Sequence, residues 1–163
     1  MGFEFTKHGP ASTPGEDRIW VEITGDTDAN SSGVNELWNP FDEDESTGFT
    51  STTHASSSAI TYTSTDGRFT INTAGTYSGV VNIIHTAATG TPLGTLHLYK
   101  NGSSVQSFTV TIHSTVDPQN IQLPFILESL AATDYLEVYM STDLTTMMIV
   151  KAGSSFQAKR IAS

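Results

Sequence analysis

An all-β sandwich or barrel is the fold this chain predicts, on three observations. Apolar and polar residues alternate with a period of two in about ten short segments. No stretch of any length repeats at 3.6 residues, so no amphipathic helix is expected. Turn dipeptides punctuate the segments, most clearly Asp66-Gly67 and Asn101-Gly102. Ser and Thr make up roughly a quarter of the 163 residues. Thr suits a strand because its branched Cβ fits the pleated surface.

Residues 1–17, rich in Gly, Pro, Ser and Thr, read as an extended N-terminal arm, and 18–163 as one sandwich domain of about ten antiparallel strands. The first strand is 18–24, with Ile19, Val21 and Ile23 on one side and Trp20 and Glu22 on the other. A polar loop is expected over 25–33, a short apolar piece broken by Pro40 over 37–41, an acidic run over 42–45 and a Ser/Thr stretch over 50–58. Ile60 and Tyr62, then Phe69 and Ile71, mark two strands joined at Asp66-Gly67, and a longer strand covers 76–85 before a loop to Pro92. Residues 93–100 and 105–113 pair across Asn101-Gly102, with Phe108, Val110 and Ile112 on one side and Thr109, Thr111 and His113 on the other. Pro124 confines the strand over 121–127 to an edge or a bulge, and one helical turn is expected over 128–132. Strands over 135–140, 145–151 and 155–161 complete the set.

Composition excludes several classes of function. The formal net charge of −10 and the lack of any basic patch argue against nucleic acid and against an anionic membrane surface as partners. With no cysteine there are no disulfides and no thiolate metal sites. No basic segment followed by an apolar core opens the sequence, so an export signal is not expected. Catalysis finds no motif: there is no Gly-x-Ser-x-Gly elbow, no His-Glu-x-x-His and no phosphate-binding glycine loop. Asp26-x-Asp28-x-Asn30 begins like a calcium loop, but Ser31 stands where Gly is needed and Leu37 where Glu is needed, so a solvated acidic loop is the expectation. His85, His97 and His113 lie on strands with no second ligand converging from the same chain, and no metal or other cofactor is expected.

Four pieces, in order over 59–161, carry a resemblance: Phe69-x5-Gly75-x-Tyr77, Leu98-Tyr-Lys-Asn-Gly102-x-x-Val105, Asp134-x-Leu136-x-Val138 and Ser154-x-Phe156. They resemble the jelly-roll superfamily of tumour necrosis factor and the globular heads of complement one-q. Thr133 and Ala158 stand where that superfamily often has Gly, and no collagen repeat is present. The resemblance implies a non-enzymatic jelly-roll β-sandwich that works as a homotrimer, with one sheet of each protomer facing the three-fold axis.

Carried over by position, it implies that Tyr77, Val81 and Ile83 fill the core while Ser78, Val80, Asn82 and Ile84 face neighbouring subunits. Leu136, Val138 and Met140 then point inward, and Tyr135 and Tyr139 outward. The expected trimer-interface residues are Val80, Asn82, Ile84, Tyr135, Tyr139 and Gln157. The alternative is that these are exposed strand residues with no partner. Similar domains occur in bacteriophage virions as trimeric head decorations and fibre heads. A cysteine-free, acidic, Ser/Thr-rich chain suits that setting, which implies assembly in a host cytoplasm, a place on the capsid exterior and the major capsid protein as partner. Phe3 and Phe5 in the arm are the candidate capsid anchors. The second reading is a receptor- or glycan-binding fibre head, with Trp38 and Tyr62 as its candidate aromatic contacts.

Overall fold

The computed structural model describes residues 17–29, 35–87, 93–112, 117–143 and 148–163. Among them it has thirteen strands, one turn of 3-10 helix (Ser64–Asp66) and no α-helix. The strands are β1 (Arg18–Ile23), β2 (Thr27–Ala29), β3 (Ser46–Thr47), β4 (Ser51–Ala55), β5 (Ile60–Thr63), β6 (Arg68–Ile71) and β7 (Gly75–Ala87). They continue with β8 (Leu93–Lys100), β9 (Ser103–Thr111), β10 (Gln119–Leu130), β11 (Tyr135–Thr142), β12 (Met148–Val150) and β13 (Ser155–Ala162).

All pairings are antiparallel, and they form two sheets. The larger runs β3-β2-β12-β7-β13-β1-β4, with β10 on the free edge of β7; the smaller runs β5-β6-β11-β8-β9. Two layers packed face to face, each strand alternating between core and surface, make the jelly-roll sandwich. The core is what the alternation predicts: Ile19, Val21, Ile23, Phe69, Ile71, Tyr77, Val81, Ile83, Leu136, Val138 and Met140 are all buried. Phe69 of the smaller sheet stacks on Phe156 of the larger at 3.7 Å between ring centroids, and Phe125 and Phe41 pack around this pair. Each such side chain contributes about 2 kcal/mol by leaving water.

The four sequence pieces are the places where the chain approaches itself closely. At Gly75 (φ 152°) a Cβ would stand 2.3 Å from the Ala162 carbonyl, so only glycine fits. Two residues on, the buried Tyr77 hydroxyl reaches the carbonyls of Thr73 (2.7 Å) and Ala59 (3.1 Å), fastening the start of β7 to the chain before β5. Asn101 (φ 51°) and Gly102 (φ 75°) both take the left-handed conformation that a two-residue hairpin between right-twisted strands requires. The Asn101 amide donates to Asp134 (2.7 Å), and its oxygen accepts from the Tyr135 N–H (2.9 Å). Asp134 also accepts from the Ala131 N–H (2.8 Å) and pairs with Lys100 (2.9 Å). The second and third pieces are thus one welded corner. Hydrogen bonds from Asn101 and Lys100 hold the Asp134 carboxyl down at about 2. Ser154 closes the set: its hydroxyl accepts from the Ile84 N–H (2.8 Å) and donates to the Lys151 carbonyl (2.9 Å), which delivers Phe156 into the core.

Several expectations are corrected. β2 lies in the stretch expected as a polar loop, and β4 in the Ser/Thr run. β4 pairs along β1 while Thr52, Thr53 and His54 stay exposed and Ala55 alone is buried, so no hydrophobic alternation marks it. The helical turn expected over 128–132 is instead the end of β10, bulged between Leu127 and Leu130 with Ser129 at φ 55°. β7 continues through Ala87, beyond the loop start expected at Thr86. Phe108, Val110 and Ile112 share the core-facing side, yet Phe108 is 50% exposed. It sits on β9, the edge strand of its sheet. The N-terminal arm and its Phe3 and Phe5, together with His113, lie outside the described residues.

Candidate self-association surface

The outward face of the larger sheet is built from the residues of β1, β13, β7 and β10 that alternate with the core set. Register places them in rows across the sheet. Trp20, Gln157, Val80 and Pro124 stand side by side; above them are Glu22, Ser155, Asn82 and Gln122, and below them Arg18, Lys159, Ser78 and Ile126. Ile84 stands beyond Asn82, opposite Asn120. The apolar members include Trp20, 37% exposed, and Ile126, 65% exposed. A sheet face left to water has no use for Trp, Val, Ile and Pro in a contiguous strip. The face is not flat: Arg18, Trp20, Ser78, Val80, Gln157 and Lys159 line a concavity of about 360 Å3.

Its polar residues are neutral or paired in all but one place. Gln122 donates to the Asn82 side-chain oxygen (3.3 Å), and Asn82 donates on to the Gly153 carbonyl (3.4 Å). His54 of β4 lies 2.7 Å from the Glu22 carboxylate, and its ring packs 4.4 Å from Trp20. The exception is Arg18 and Lys159, two cations directly opposite each other across β1 and β13 with no acidic partner among the described residues.

The opposite side of the sandwich is organised differently. On the outward face of the smaller sheet Arg68 lies 4.5 Å over the Tyr135 ring and 2.9 Å from Glu137. Tyr139 meets Tyr99 edge to face at 4.9 Å, Tyr99 meets His97, and His97 Nε2 lies 3.1 Å from the Ser141 hydroxyl. Glu137 points outward by alternation but is only 4% exposed, because these rings and Arg68 cover it. Burial, together with the Glu137 charge, pushes the Tyr139 hydroxyl up to about 12.

The expected interface set is therefore divided. Val80, Asn82, Ile84 and Gln157 stand together on the larger sheet, while Tyr135 and Tyr139 stand on β11 of the smaller sheet and face the other way. Agreement in alternation says which residues leave the core; it does not say in which of two sheets the strand lies. Trp20, Pro124 and Ile126 belong to this face and were missed. The signal for Trp20 was in the sequence, since it alternates with Ile19 and Val21 just as Val80 alternates with Val81.

The remaining candidates have structural roles. Trp38 is buried, its indole N–H donating to the Glu45 carbonyl (3.1 Å), and the Tyr62 hydroxyl donates to the Phe41 carbonyl (2.6 Å), so neither forms an exposed platform. Asp26 pairs with Lys151 (2.9 Å) and accepts from the Ala152 N–H, which holds its carboxyl below the usual range. In the acidic run Glu45 accepts from the Asn39 N–H and Asp42 from the Asp44 N–H, while partial burial pushes both carboxyls up. Among the described residues no three metal-ligating side chains converge. His85 points into the core, fully buried, with neither ring nitrogen bonded among the described residues, and burial pushes it down to about 4.

No family model and no curated protein sequence matches the chain. Solved structures do. Eiger TNF from S. frugiperda superposes with a TM-score of 0.55 at 17% identity, over 91% of this chain and 95% of that one. Murine APRIL, solved at pH 5.0, superposes with a TM-score of 0.57 at 6% identity, over 90% of this chain and all of that one. At such identities the likeness is one of fold, and it agrees with the two antiparallel sheets described above: the chain is a tumour-necrosis-factor-like jelly-roll sandwich.

Proposed function

We propose that this chain is a non-enzymatic structural module that assembles as a homotrimer through the outward face of its larger sheet, and that the trimer decorates a bacteriophage capsid. The observation that carries the assembly is the strip of Trp20, Val80, Ile84, Pro124 and Ile126 on a face that a solitary sandwich would keep polar. The open edge formed by β9 and β10 supplies a complementary surface. There Phe108 and Ile126 are exposed, and Gln106 ties the two sheets by donating to the Pro124 carbonyl (3.0 Å). An edge packed into a neighbour's face is a head-to-tail contact, and three such contacts close a ring.

The virion assignment rests on the acidic, cysteine-free composition and on the resemblance stated above. In it, the arms carrying Phe3 and Phe5 bind the major capsid protein on the particle exterior, and three arms per trimer multiply a weak contact. Titration of purified protein onto capsids lacking it tests this. Saturation at a fixed number of trimers per particle is expected, and binding without a plateau contradicts it.

One observation favours the second reading, a glycan-binding head. Tyr99, Tyr135 and Tyr139 with His97 form an aromatic belt bordered by hydroxyl side chains on the smaller sheet, the side that remains open in this assembly. Binding of neutral oligosaccharides that is lost in Tyr99→Ala would move the assignment to that reading.

A further inference from the structure

Seven basic side chains serve this acidic chain. Arg68, Lys100 and Lys151 each pair with a carboxylate, Arg160 donates to the Ala74 carbonyl, and Lys7 lies outside the described residues. Arg18 and Lys159 remain. Both are exposed, neither has an acidic partner among the described residues, and they are direct cross-strand neighbours. Like charges directly opposite on adjacent strands destabilise a sheet. With 17 acidic residues in the chain, an intramolecular partner would have been easy to supply. Instead the pair borders the Trp20 concavity, in the middle of the apolar face.

We infer that Arg18 and Lys159 form a carboxylate-binding site whose occupant is Glu128 of a second copy of this chain, and that this contact sets the level at which the copies dock. The inference rests on the assembly reading above.

Rotation about an axis parallel to the strands preserves height along them. Arg18, Lys159, Ser78 and Ile126 occupy one row across the sheet, so a neighbouring copy's Ile126 arrives at the level of the two cations. Glu128 follows two residues later at the exposed end of β10, with no partner of its own among the described residues. The other acidic residue at this level, Asp17, accepts from the Arg160 N–H and lies toward Tyr77, away from the concavity. Ile126 and Glu128 thus present an apolar group and a carboxylate at the spacing at which the concavity offers Trp20 and Val80 beside two cations. The charge contact supplies selectivity: it opposes any docking that brings cation to cation, whereas the apolar strip alone would tolerate slippage.

Charge reversal with rescue tests this, read by sedimentation equilibrium. Glu128→Lys and the double variant Arg18→Glu/Lys159→Glu should each raise the concentration for trimer dissociation by about a hundredfold or more, because three like-charge contacts replace three complementary ones. Combining all three substitutions should recover most of that loss. All positions are exposed, and circular dichroism verifies that each variant folds. A second measurement needs no variant: a carbodiimide should join Lys159 to Glu128 between chains, identified by mass spectrometry on a mixture of light and heavy-isotope protein. A wild-type chain that is monomeric overturns the assembly reading and this inference with it. A wild-type trimer with no rescue, or with no interchain Lys159–Glu128 link, overturns the inference and leaves the assembly standing.

Discussion

The two outward faces of the sandwich handle their side chains in opposite ways. On the smaller sheet every outward group of consequence is satisfied within the protomer: Arg68 on Glu137 and Tyr135, Tyr139 on Tyr99, His97 on Ser141. On the larger sheet the apolar strip and the Arg18/Lys159 pair find nothing in their own protomer to meet. A face that closes its own hydrogen bonds and ion pairs contributes to folding. A face that leaves them open is built for contact with something else. The general lesson is that charge and hydrophobicity alone do not separate the two, since both faces carry aromatics and cations; the state of pairing does.

Substitutions should follow this division. The largest effect is expected from Ile84→Asp, which places a charge in the apolar strip: light scattering should show loss of the trimer, with the β circular dichroism signal retained. Tyr139→Asp should do the reverse. It sets a second carboxylate beside the buried Glu137, so chemical denaturation should show a loss of about 3 kcal/mol while the oligomeric mass stays unchanged. A drop in mass for Tyr139→Asp would erase the distinction between the faces.

His85 gives a third test, inside the larger sheet. Its folded pKa is depressed to about 4 from an ordinary 6.5, with burial as the cause. The unfolded chain therefore binds the proton first. Stability is fully present above pH 6.5 and falls as pH drops toward 4, by up to about 3 kcal/mol. His85→Leu should flatten that slope and leave the mass of the assembly unchanged.

The smallest effect is expected at Thr133, a β-branched residue held at φ 83°. Thr133→Gly should raise stability by about 0.5–1 kcal/mol, the strain relieved being partly offset by a more flexible unfolded chain.

Thr133 also illustrates how much was legible in the sequence. Glycine was the residue expected at this position from the resemblance, and the structure supplies the physical reason in its left-handed backbone. The same holds for Gly75, Tyr77, Asn101-Gly102 and Ser154, where motif residues mark close approaches of the chain to itself. The core followed from alternation because burial on one face imposes a period of two. What alternation does not encode is which strands share a sheet, and that is why Tyr135 and Tyr139 were grouped with Val80 and Ile84. Nor does it mark strands made by backbone pairing alone: β4 exposes Thr52, Thr53 and His54, and β2 lies among turn-forming residues. The Arg18/Lys159 pair was hidden for a related reason. Residues so far apart in sequence become neighbours only once the register of β1 on β13 is set.

The central claim is that the larger sheet's outward face is completed by other copies of the chain. Light scattering coupled to size exclusion, on the wild type and Ile84→Asp side by side, tests it most directly. The account predicts three times the chain mass for the wild type and the single-chain mass for the variant. A wild type that runs as a single chain at micromolar concentration, or a variant whose mass does not change, would contradict it.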